Sequence, residues 1–191
     1  MTMIEREVDN DEALVLLAQR GEKYAFGMLV ARYQERLMRY GRRFLGNAED
    51  VEDVVQDVFL RAYQNLQSFD ASQRFSPWIY RIAHNTFVNA LRKKTREPLY
   101  VFDLDTVIPH ALVDDSQVEE QRRKEIREML ERFLSQVSSK YREILVLYYF
   151  EELPYADIAE VLKIPVGTVG VRLRRAREAL QKIYQTSEQN I

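Results

Sequence analysis

Four arginines lie within six residues near the C-terminal end of the sequence, where their guanidinium groups could bind phosphate. They are Arg172, Arg174, Arg175 and Arg177, in the segment "TVGVRLRRAREAL". Arginine binds phosphate oxygens and also pairs through two parallel hydrogen bonds with guanine edges in the major groove. The cluster therefore favours a DNA-binding helix, and a solvated basic face is the alternative.

Three aspartates at helical spacing form a second candidate site. Asp50, Asp53 and Asp57 share one face of a predicted helix, with Gln56 beside them, and the valines of "DVEDVVQDVF" occupy another face. The stripe is either a solvated helix face or a docking surface for a basic partner. A carboxylate-dependent nuclease is the enzyme alternative. Magnesium sites usually draw on two or more elements, however, and these aspartates share one helix.

A third group combines aromatic, amide and basic side chains in "RFSPWIYRIAHNTFVNALRKK". Trp78 and Tyr80 stand at the front of this predicted helix, Asn85 and Asn89 follow, and Lys93 extends the basic tail. Aromatic rings stack on unpaired bases, and amides read exposed base edges, so the combination favours single-stranded nucleic acid. The alternative is that both aromatic residues belong to the core.

Several other kinds of site are disfavoured by composition. The chain has no cysteine, and its two histidines, His84 and His110, are too few for a convincing metal cluster. We therefore expect no metal and no cofactor. No apolar run approaches the ~18 residues of a membrane span, and the start, "MTMIEREVDNDEALVLL", is acidic where a signal peptide would be basic. These features predict a cytoplasmic protein.

The elements that hold these side chains are predicted to be helices. An apolar stripe follows Gly21 at spacings of three and four and ends near Gly46, where Asn47 can cap the next helix. Ser76 as cap and Pro77 as first helical residue predict the start of a third long helix. The stripe consists of Phe26, Leu29, Val30, Tyr33, Leu37, Tyr40 and Phe44, and the inward face of the third helix consists of Ile79, Ile82, Ala83, Thr86 and Ala90.

The C-terminal part of the chain predicts a helix-turn-helix unit. "YADIAEVL" is a short amphipathic helix, "KIPVG" is a connection, and "TVGVRLRRAREAL" is the second helix. A capping box at Ser116 and Glu119 indicates an earlier helix. Residues 97–120 carry seven acidic and no basic side chains. We therefore predict an all-α fold of two small helical domains, residues 1–96 and 121–191, joined by an acidic linker, residues 97–120.

Three motifs in order carry a resemblance to a known family. The series "DVEDVVQDVFLRAY", "FSPWIYRIAHN" and "IPVGTVGVRLRRARE" resembles bacterial extracytoplasmic-function (group 4) RNA polymerase sigma factors of the sigma-70 family. The likeness runs from about Ala25 to Ile183 and implies a sigma-2-like domain followed by a sigma-4-like domain. It implies an initiation factor, not an enzyme, that binds core RNA polymerase, directs it to promoters and helps melt the minus-10 element. The implied partners are the beta-prime clamp of the polymerase, duplex and single-stranded promoter DNA, and an anti-sigma factor, with no membrane insertion.

The resemblance also assigns roles to residues. A base flipped out of the minus-10 element would lie in a pocket made by the loop from Ser68 to Arg74, with Asn85 nearby. The implied polymerase contacts are Asp50, Asp53, Gln56 and Asp57. The implied minus-10 contacts are Ser68, Phe69, Arg74, Trp78, Tyr80, Arg81, Asn85, Asn89, Arg92 and Lys93. The implied minus-35 contacts are Thr168, Arg172, Arg174, Arg175 and Arg177.

Two departures from the family pattern concern the helix-turn-helix. Gly170 and Val171 stand where members usually carry a basic or small polar residue, so a minus-35 contact is expected to be missing. Pro154 stands where many members carry a capping serine, so we expect altered capping and an intact fold. A polymerase-independent helix-turn-helix regulator is the rival hypothesis. It would leave the aspartate stripe and the Trp78 helix without a role.

Overall fold

The structure, a computed structural model, describes residues 10–45, 51–95 and 120–189, and within these ranges all regular structure is helical. The predicted all-α fold is confirmed. The chain divides into two compact units, Met1–Arg96 and Glu97–Ile191, which are called the N-terminal and C-terminal units below. Each has its own core, as expected of small helical domains that fold around separate apolar faces.

In the part of the chain that the structure describes, the N-terminal unit consists of four α-helices. They are α1 (Asp11–Gln19), α2 (Lys23–Leu45), α3 (Val51–Asn65) and α4 (Phe75–Thr95), with a short 3₁₀ turn, Leu66–Ser68, after α3. The N-cap of α1 is Asn10, whose side-chain oxygen accepts a hydrogen bond of 2.9 Å from the Glu12 N–H. Such a bond satisfies one of the N–H groups that have no partner inside the helix.

The core of this unit follows the apolar stripe that the sequence predicts on α2. Leu29, Leu37 and Phe44 are buried there, and the rings of Tyr33 and Tyr40 lie at the centre of the unit. Both tyrosine rings contact aromatic residues of α4. Aromatic packing in edge-to-face and tilted geometry adds stability beyond the area that it buries.

The three long helices of the unit converge at Gly41. A Cβ atom at this position would lie 2.7 Å from Val51 Cγ1 and 3.2 Å from Phe87 Cζ. Val51 begins α3 and Phe87 belongs to α4, so the absence of a side chain on α2 lets both neighbours approach. The lack of a side chain at Gly41 therefore allows the three helices to pack closely at this point of α2.

The start and the inward face of α4 differ from the prediction. The helix begins at Phe75, so Ser76 and Pro77 both lie in its first turn, where the missing N–H of proline removes no intrahelical bond. The inward face includes Phe87 and Val88, which the predicted face lacks, whereas Ile82 and Ala90 are only half-buried. The large aromatic side chains of α4 decide which face packs against α2.

The C-terminal unit also consists of four α-helices in the described residues. They are α5 (Glu120–Phe133), α6 (Ser139–Tyr149), α7 (Tyr155–Leu162) and α8 (Val166–Glu188), and a 3₁₀ turn, Leu134–Gln136, follows α5. The core combines apolar residues of all four helices. They are Ile126, Leu130, Ile144, Leu145, Val146, Leu147, Ile158, Val161, Val169, Leu173, Ala176 and Leu180.

The helix-turn-helix of α7 and α8 closes through a tight turn. Lys163 takes the left-handed conformation (φ 54°), and the Ile164 N–H donates to the Ala159 carbonyl at 3.1 Å. The second helix begins at Val166, two residues before the predicted start at Thr168. Pro154 precedes α7 in an extended conformation and provides no side-chain hydrogen bond, so the capping is altered and the helix is intact, as expected.

Some predictions concern residues that the structure leaves undescribed. The predicted helix end at Gly46 and the caps at Asn47, Ser116 and Glu119 lie outside the described residues, as does Asp50. The acidic linker does too, except that its last residue, Glu120, begins α5. Across the described ranges, no helix has the length and apolar character that crossing a bilayer requires.

Candidate functional site

The outer face of α3 carries the aspartate stripe. Asp53 and Gln56 are exposed, and Asp57 is partly exposed, with its Oδ2 2.9 Å from Arg61 Nε in an i,i+4 ion pair. Leu60 lies seven residues after Asp53, on the same helix face, and is 56% exposed. The face therefore combines carboxylate, amide and apolar groups. Such a surface complements a partner that is basic and partly apolar.

The apolar part of this surface is absent from the sequence prediction. Tyr63 is 49% exposed, and its ring lies 5.0 Å from Phe26 of α2 in edge-to-face contact. Leu60 and Tyr63 continue the stripe by three- and four-residue steps beyond Gln56, and that periodicity could have identified them. The stripe is therefore longer than the three aspartates suggested.

A loop of residues 66–75, called the 66–75 loop below, connects α3 to α4 and packs on an aromatic cluster. The Phe69 ring lies 4.7 Å from the Trp78 ring and 6.0 Å from the Phe75 ring, and Trp78 and Phe75 are 5.4 Å apart. Trp78 is only 8% exposed. The cluster therefore supports the loop from beneath, and the described conformation presents little of Trp78 or Phe69 as a stacking surface.

The prediction that Tyr80 contacts bases is wrong for this structure. Tyr80 is 0% exposed, and its ring lies 5.8 Å from Tyr40 and 6.4 Å from Tyr33, inside the core. Its burial follows from helical geometry, because Tyr80 and the core residues Ala83 and Phe87 share one face of α4. The core alternative that the sequence left open is thus the correct one for Tyr80.

The polar members of the same predicted site do lie at the surface. Asn85 and Asn89 are exposed four residues apart on one face of α4, and Arg81, half-buried, precedes them on that face. Arg92 and Lys93 extend it toward the helix end, and both are exposed. The face thus offers amide donors and acceptors beside positive charge, which suits base edges and phosphates.

The tip of the 66–75 loop is held by a local turn. The Ser72 N–H donates to Asp70 Oδ1 at 2.9 Å, and this bond, with one from the Ser72 side chain, lowers the pKa of the Asp70 carboxyl. Ser68 Oγ donates to the Asn65 carbonyl at 2.8 Å, and Arg74 is exposed at the far end. An Asx turn of this kind fixes the backbone and leaves the polar side chains outward.

The arginines of α8 flank its buried stripe. Arg174 is the most exposed, with 52% of its side chain accessible, and its Nε lies 3.9 Å from Glu178 Oε1. Arg172, Arg175 and Arg177 are half-buried, as is Thr168. Arg174 is therefore the arginine of this cluster whose guanidinium group is most accessible at the surface.

Arg174 and Arg177 also line a groove of about 890 Å³ between α5 and α8. Side chains of α5, among them Arg122, Ile126 and Met129, form its other wall. Arg172 and Arg175 are not among the lining residues, so the four arginines divide between two sides of the helix. Arg174 and Arg177 therefore lie on the side of α8 that faces α5, and Arg172 and Arg175 lie on another side.

Two arginines of the C-terminal unit, Arg127 and Arg142, make contacts that sequence reasoning missed. Arg127 of α5 donates from Nε to the Tyr149 carbonyl at 2.6 Å, and its Nη2 lies 2.7 Å from Glu152 Oε1. Arg142 donates from Nη2 to the carbonyls of Ser135 and Val137 at 2.9 and 3.1 Å. These guanidinium bonds tie the ends of α5 and α6 together. Three of the four accepting atoms are backbone carbonyls, which leave no pattern in the sequence.

No cluster of three or more histidine, aspartate or glutamate side chains suited to a metal occurs among the described residues.

Gly170, the departure from the family pattern noted on α8, is half-buried, and a Cβ added there would lie 3.5 Å from Tyr155 Cε2. That distance is an ordinary van der Waals contact, so a small side chain would fit.

Known families and proteins match both units. The family model described as Sigma-70 region 2 matches residues 29–97, and the model described as Sigma-70, region 4 matches residues 127–180. The ECF RNA polymerase sigma factor SigW of Bacillus subtilis is 36% identical over 172 residues, which cover 86% of this chain and 91% of that protein. The RNA polymerase sigma-H factor of Pseudomonas aeruginosa is 38% identical over 186 residues, which cover 93% and 95%.

A solved structure agrees with these relatives. CnrH, in complex with the cytosolic domain of CnrY, superposes with a TM-score of 0.69 at 28% identity, covering 92% of this chain and 97% of that one. The matches thus extend over nearly the whole sequence and include both units. This chain therefore belongs to the extracytoplasmic-function family of RNA polymerase sigma factors, which direct core polymerase to promoters.

Proposed function

We propose that the outer face of α3 is the surface through which this sigma factor binds the clamp of core RNA polymerase. The observation that carries the proposal is the continuous exposed stripe from Asp53 through Gln56 to Leu60. The exposed half of Leu60 lies among carboxylate and amide groups, and such a mixed apolar and acidic surface is typical of a protein-docking site. Asp50, which precedes the stripe at helical spacing, is assigned to the same contact.

The 66–75 loop and the outward face of α4 hold the opened minus-10 strand in this proposal. Exposed Asn85 and Asn89 supply base-edge contacts, and Arg92 and Lys93 supply phosphate contacts. The other contributors are Ser68, Arg74 and Arg81, with Phe69 and Trp78 acting mainly beneath the loop. The binding of unstacked bases to this surface then favours strand opening, because it offsets the free-energy cost of unpairing and unstacking those bases.

The helix-turn-helix of α7 and α8 binds the minus-35 element as duplex DNA. Thr168 and the arginines from Arg172 to Arg177 occupy the part of α8 that follows the turn, where a recognition helix meets base edges. No bond chemistry belongs to the protein in this scheme. It acts in the cytoplasm with the polymerase, and an anti-sigma factor controls its access.

Charge reversal on α3 tests the proposal. Asp53→Arg with Asp57→Arg should weaken binding to core polymerase at least ~10-fold, because like charges opposed across an interface are strongly unfavourable. The fold should survive, since the Asp57–Arg61 pair is exposed and contributes little. The matched control is Glu22→Arg with Glu35→Arg, which reverses two exposed acids elsewhere in the unit.

The assay is titration of labelled core polymerase with each full-length variant, followed by run-off transcription on genomic fragments. We expect the control to bind and transcribe as the wild type does and the α3 variant to fail in both. Wild-type affinity in the α3 variant would show that the stripe is only a solvated face. A wild-type chain that binds promoter DNA without polymerase would favour the rival regulator.

A further inference from the structure

Helix α1 lies outside the residues that match the Sigma-70 region 2 model, yet it contacts both ends of the 66–75 loop. At the near end, Gln19 Nε2 donates two hydrogen bonds, to the Leu66 carbonyl and to the Phe69 carbonyl, each 2.8 Å long. Gln67 Nε2 returns a bond of 3.1 Å to the Gln19 carbonyl. The Gln19 side chain therefore bridges two carbonyl groups of the turn at which the loop begins.

At the far end of the loop, α1 provides the cap of α4. The Phe75 N–H donates to Glu12 Oε1 at 2.8 Å. This N–H belongs to the first turn of the helix, so it has no intrahelical acceptor, and a carboxylate there also interacts favourably with the helix dipole. The point at which the loop becomes helix is thus set by a residue 63 positions earlier in the chain.

Helix α1 is itself firmly held. Leu14, Val15 and Ala18 are buried, and the Asp11 carboxylate accepts hydrogen bonds from Arg32 and from the Tyr33 hydroxyl of α2. Burial and the bond to Asp11 raise the pKa of Tyr33. A helix anchored at its first turn and along one face can transmit its position to the groups that it contacts.

We propose that α1 positions the 66–75 loop for base selection, with Gln19 and Glu12 as its positioning residues. This rests on the proposed role of the loop in holding the minus-10 strand. Loop carbonyls and helix starts move easily when their partners are lost, so the loop needs bonds from outside itself to keep one conformation. Because both residues act through backbone atoms of the loop, they influence which base is accepted without touching it.

The first test measures the order of the loop in the full-length protein. Gln19→Met keeps the length and shape of the side chain but cannot donate, and Gln34→Met, at an exposed position of α2, is the matched control. We expect the backbone amides of residues 66–75 to exchange about 10-fold faster in Gln19→Met, since two hydrogen bonds are lost. Fluorescence of Trp78, the single tryptophan, should shift to the red because its ring contacts Phe69. The control should change neither signal.

The second test measures base preference. Holoenzyme made with each variant transcribes a promoter library randomised through the minus-10 element, and the ratio of products from preferred and other bases is determined by sequencing. The ratio does not depend on how much protein is active, so simple destabilisation leaves it unchanged. We expect Gln19→Met to reduce the ratio at one or more positions several-fold and Gln34→Met to leave it intact.

Two substitutions of Glu12, at the far end of the loop, test whether the hydrogen-bond acceptor itself is what matters. Glu12→Gln keeps an oxygen acceptor for the Phe75 N–H and should retain the wild-type preference, whereas Glu12→Met removes the acceptor and should lower it. A preference equal to that of the wild type in both Gln19→Met and Glu12→Met would overturn the proposal. A wild-type holoenzyme that shows no minus-10 preference would instead refute the proposed function of the loop.

Discussion

Replacing Gly41 by alanine tests the close approach of α2, α3 and α4. The added Cβ would lie 2.7 Å from Val51 Cγ1 and 3.2 Å from Phe87 Cζ, and both neighbours are fully buried. A separation below 3.0 Å cannot be kept, so Val51, at the start of α3, must move, and the Phe87 ring must also shift by a few tenths of an ångström. Overpacking of this kind costs about 1–3 kcal/mol.

A second glycine of the same helix separates this cost from helix propensity. At Gly27 an added Cβ meets nothing within 4 Å, so Gly27→Ala should stabilise the unit by about 0.5–1 kcal/mol. Gly41→Ala has the same propensity gain together with the clash. The difference in the free energy of unfolding between the two variants therefore isolates the clash, at about 1–3 kcal/mol, or roughly 4–8 °C in Tm for each kcal/mol.

The assay is thermal and denaturant unfolding followed by tryptophan fluorescence. Trp78 is the single tryptophan and lies in the N-terminal unit, so the signal reports that unit selectively. Binding to core polymerase is measured in parallel, because movement of Val51 displaces the start of α3, which carries the proposed polymerase contact. If Gly41→Ala proves as stable as Gly27→Ala, the packing of the three helices at Gly41 is not as described.

Three further predictions concern other parts of the molecule. Trp78→Ala should lower the free energy of unfolding by about 3–5 kcal/mol, measured by circular dichroism, because the buried ring supports the 66–75 loop. Tyr33→Phe should make the free energy of unfolding fall less steeply as the pH rises above about 10, measured by denaturant unfolding at several pH values. The reason is that the pKa of Tyr33 is raised in the folded protein, so its stabilising contribution is complete below about pH 10 and is lost at higher pH. Alanine at Arg172 or Arg175 should cost about 1–3 kcal/mol on an intact minus-35 element and little on a scrambled one, whereas Arg177→Ala should weaken binding to both and lower the salt slope by about one, in holoenzyme binding assays.

Local sequence patterns were enough to identify the long helices after Gly21, the helix-turn-helix and the order in which the candidate sites occur along the chain. The three- and four-residue spacing on α2 predicted the stripe that the structure buries, from Leu29 through Tyr33 and Leu37 to Phe44. The arginine cluster and the short connection before it predicted the helix-turn-helix. These signals are periodic or contiguous, so they depend only on helical geometry and can be read without knowing what packs against what.

Tertiary packing decided which candidate residues remain exposed at the surface, where they can contact a partner. Trp78 and Tyr80 carry the same sequence signal as exposed stacking residues, and their burial depends on rings of α2 and of the 66–75 loop. Likewise, Leu60 stays 56% exposed because no helix in the described residues of the N-terminal unit covers it, and this exposure is what adds it to the proposed docking surface.

The contacts of α1 had no signal in the sequence at all. Gln19 reaches carbonyls 47 and 50 residues away, and Glu12 reaches an N–H 63 residues away. In each contact one partner is a backbone atom, which every residue type possesses, so no residue pattern marks the pairing. Sequence by itself determined the long helices after Gly21, the apolar face of α2 and the family. Only the folded chain decided how the loop between α3 and α4 is held, because that depends on groups brought together by packing.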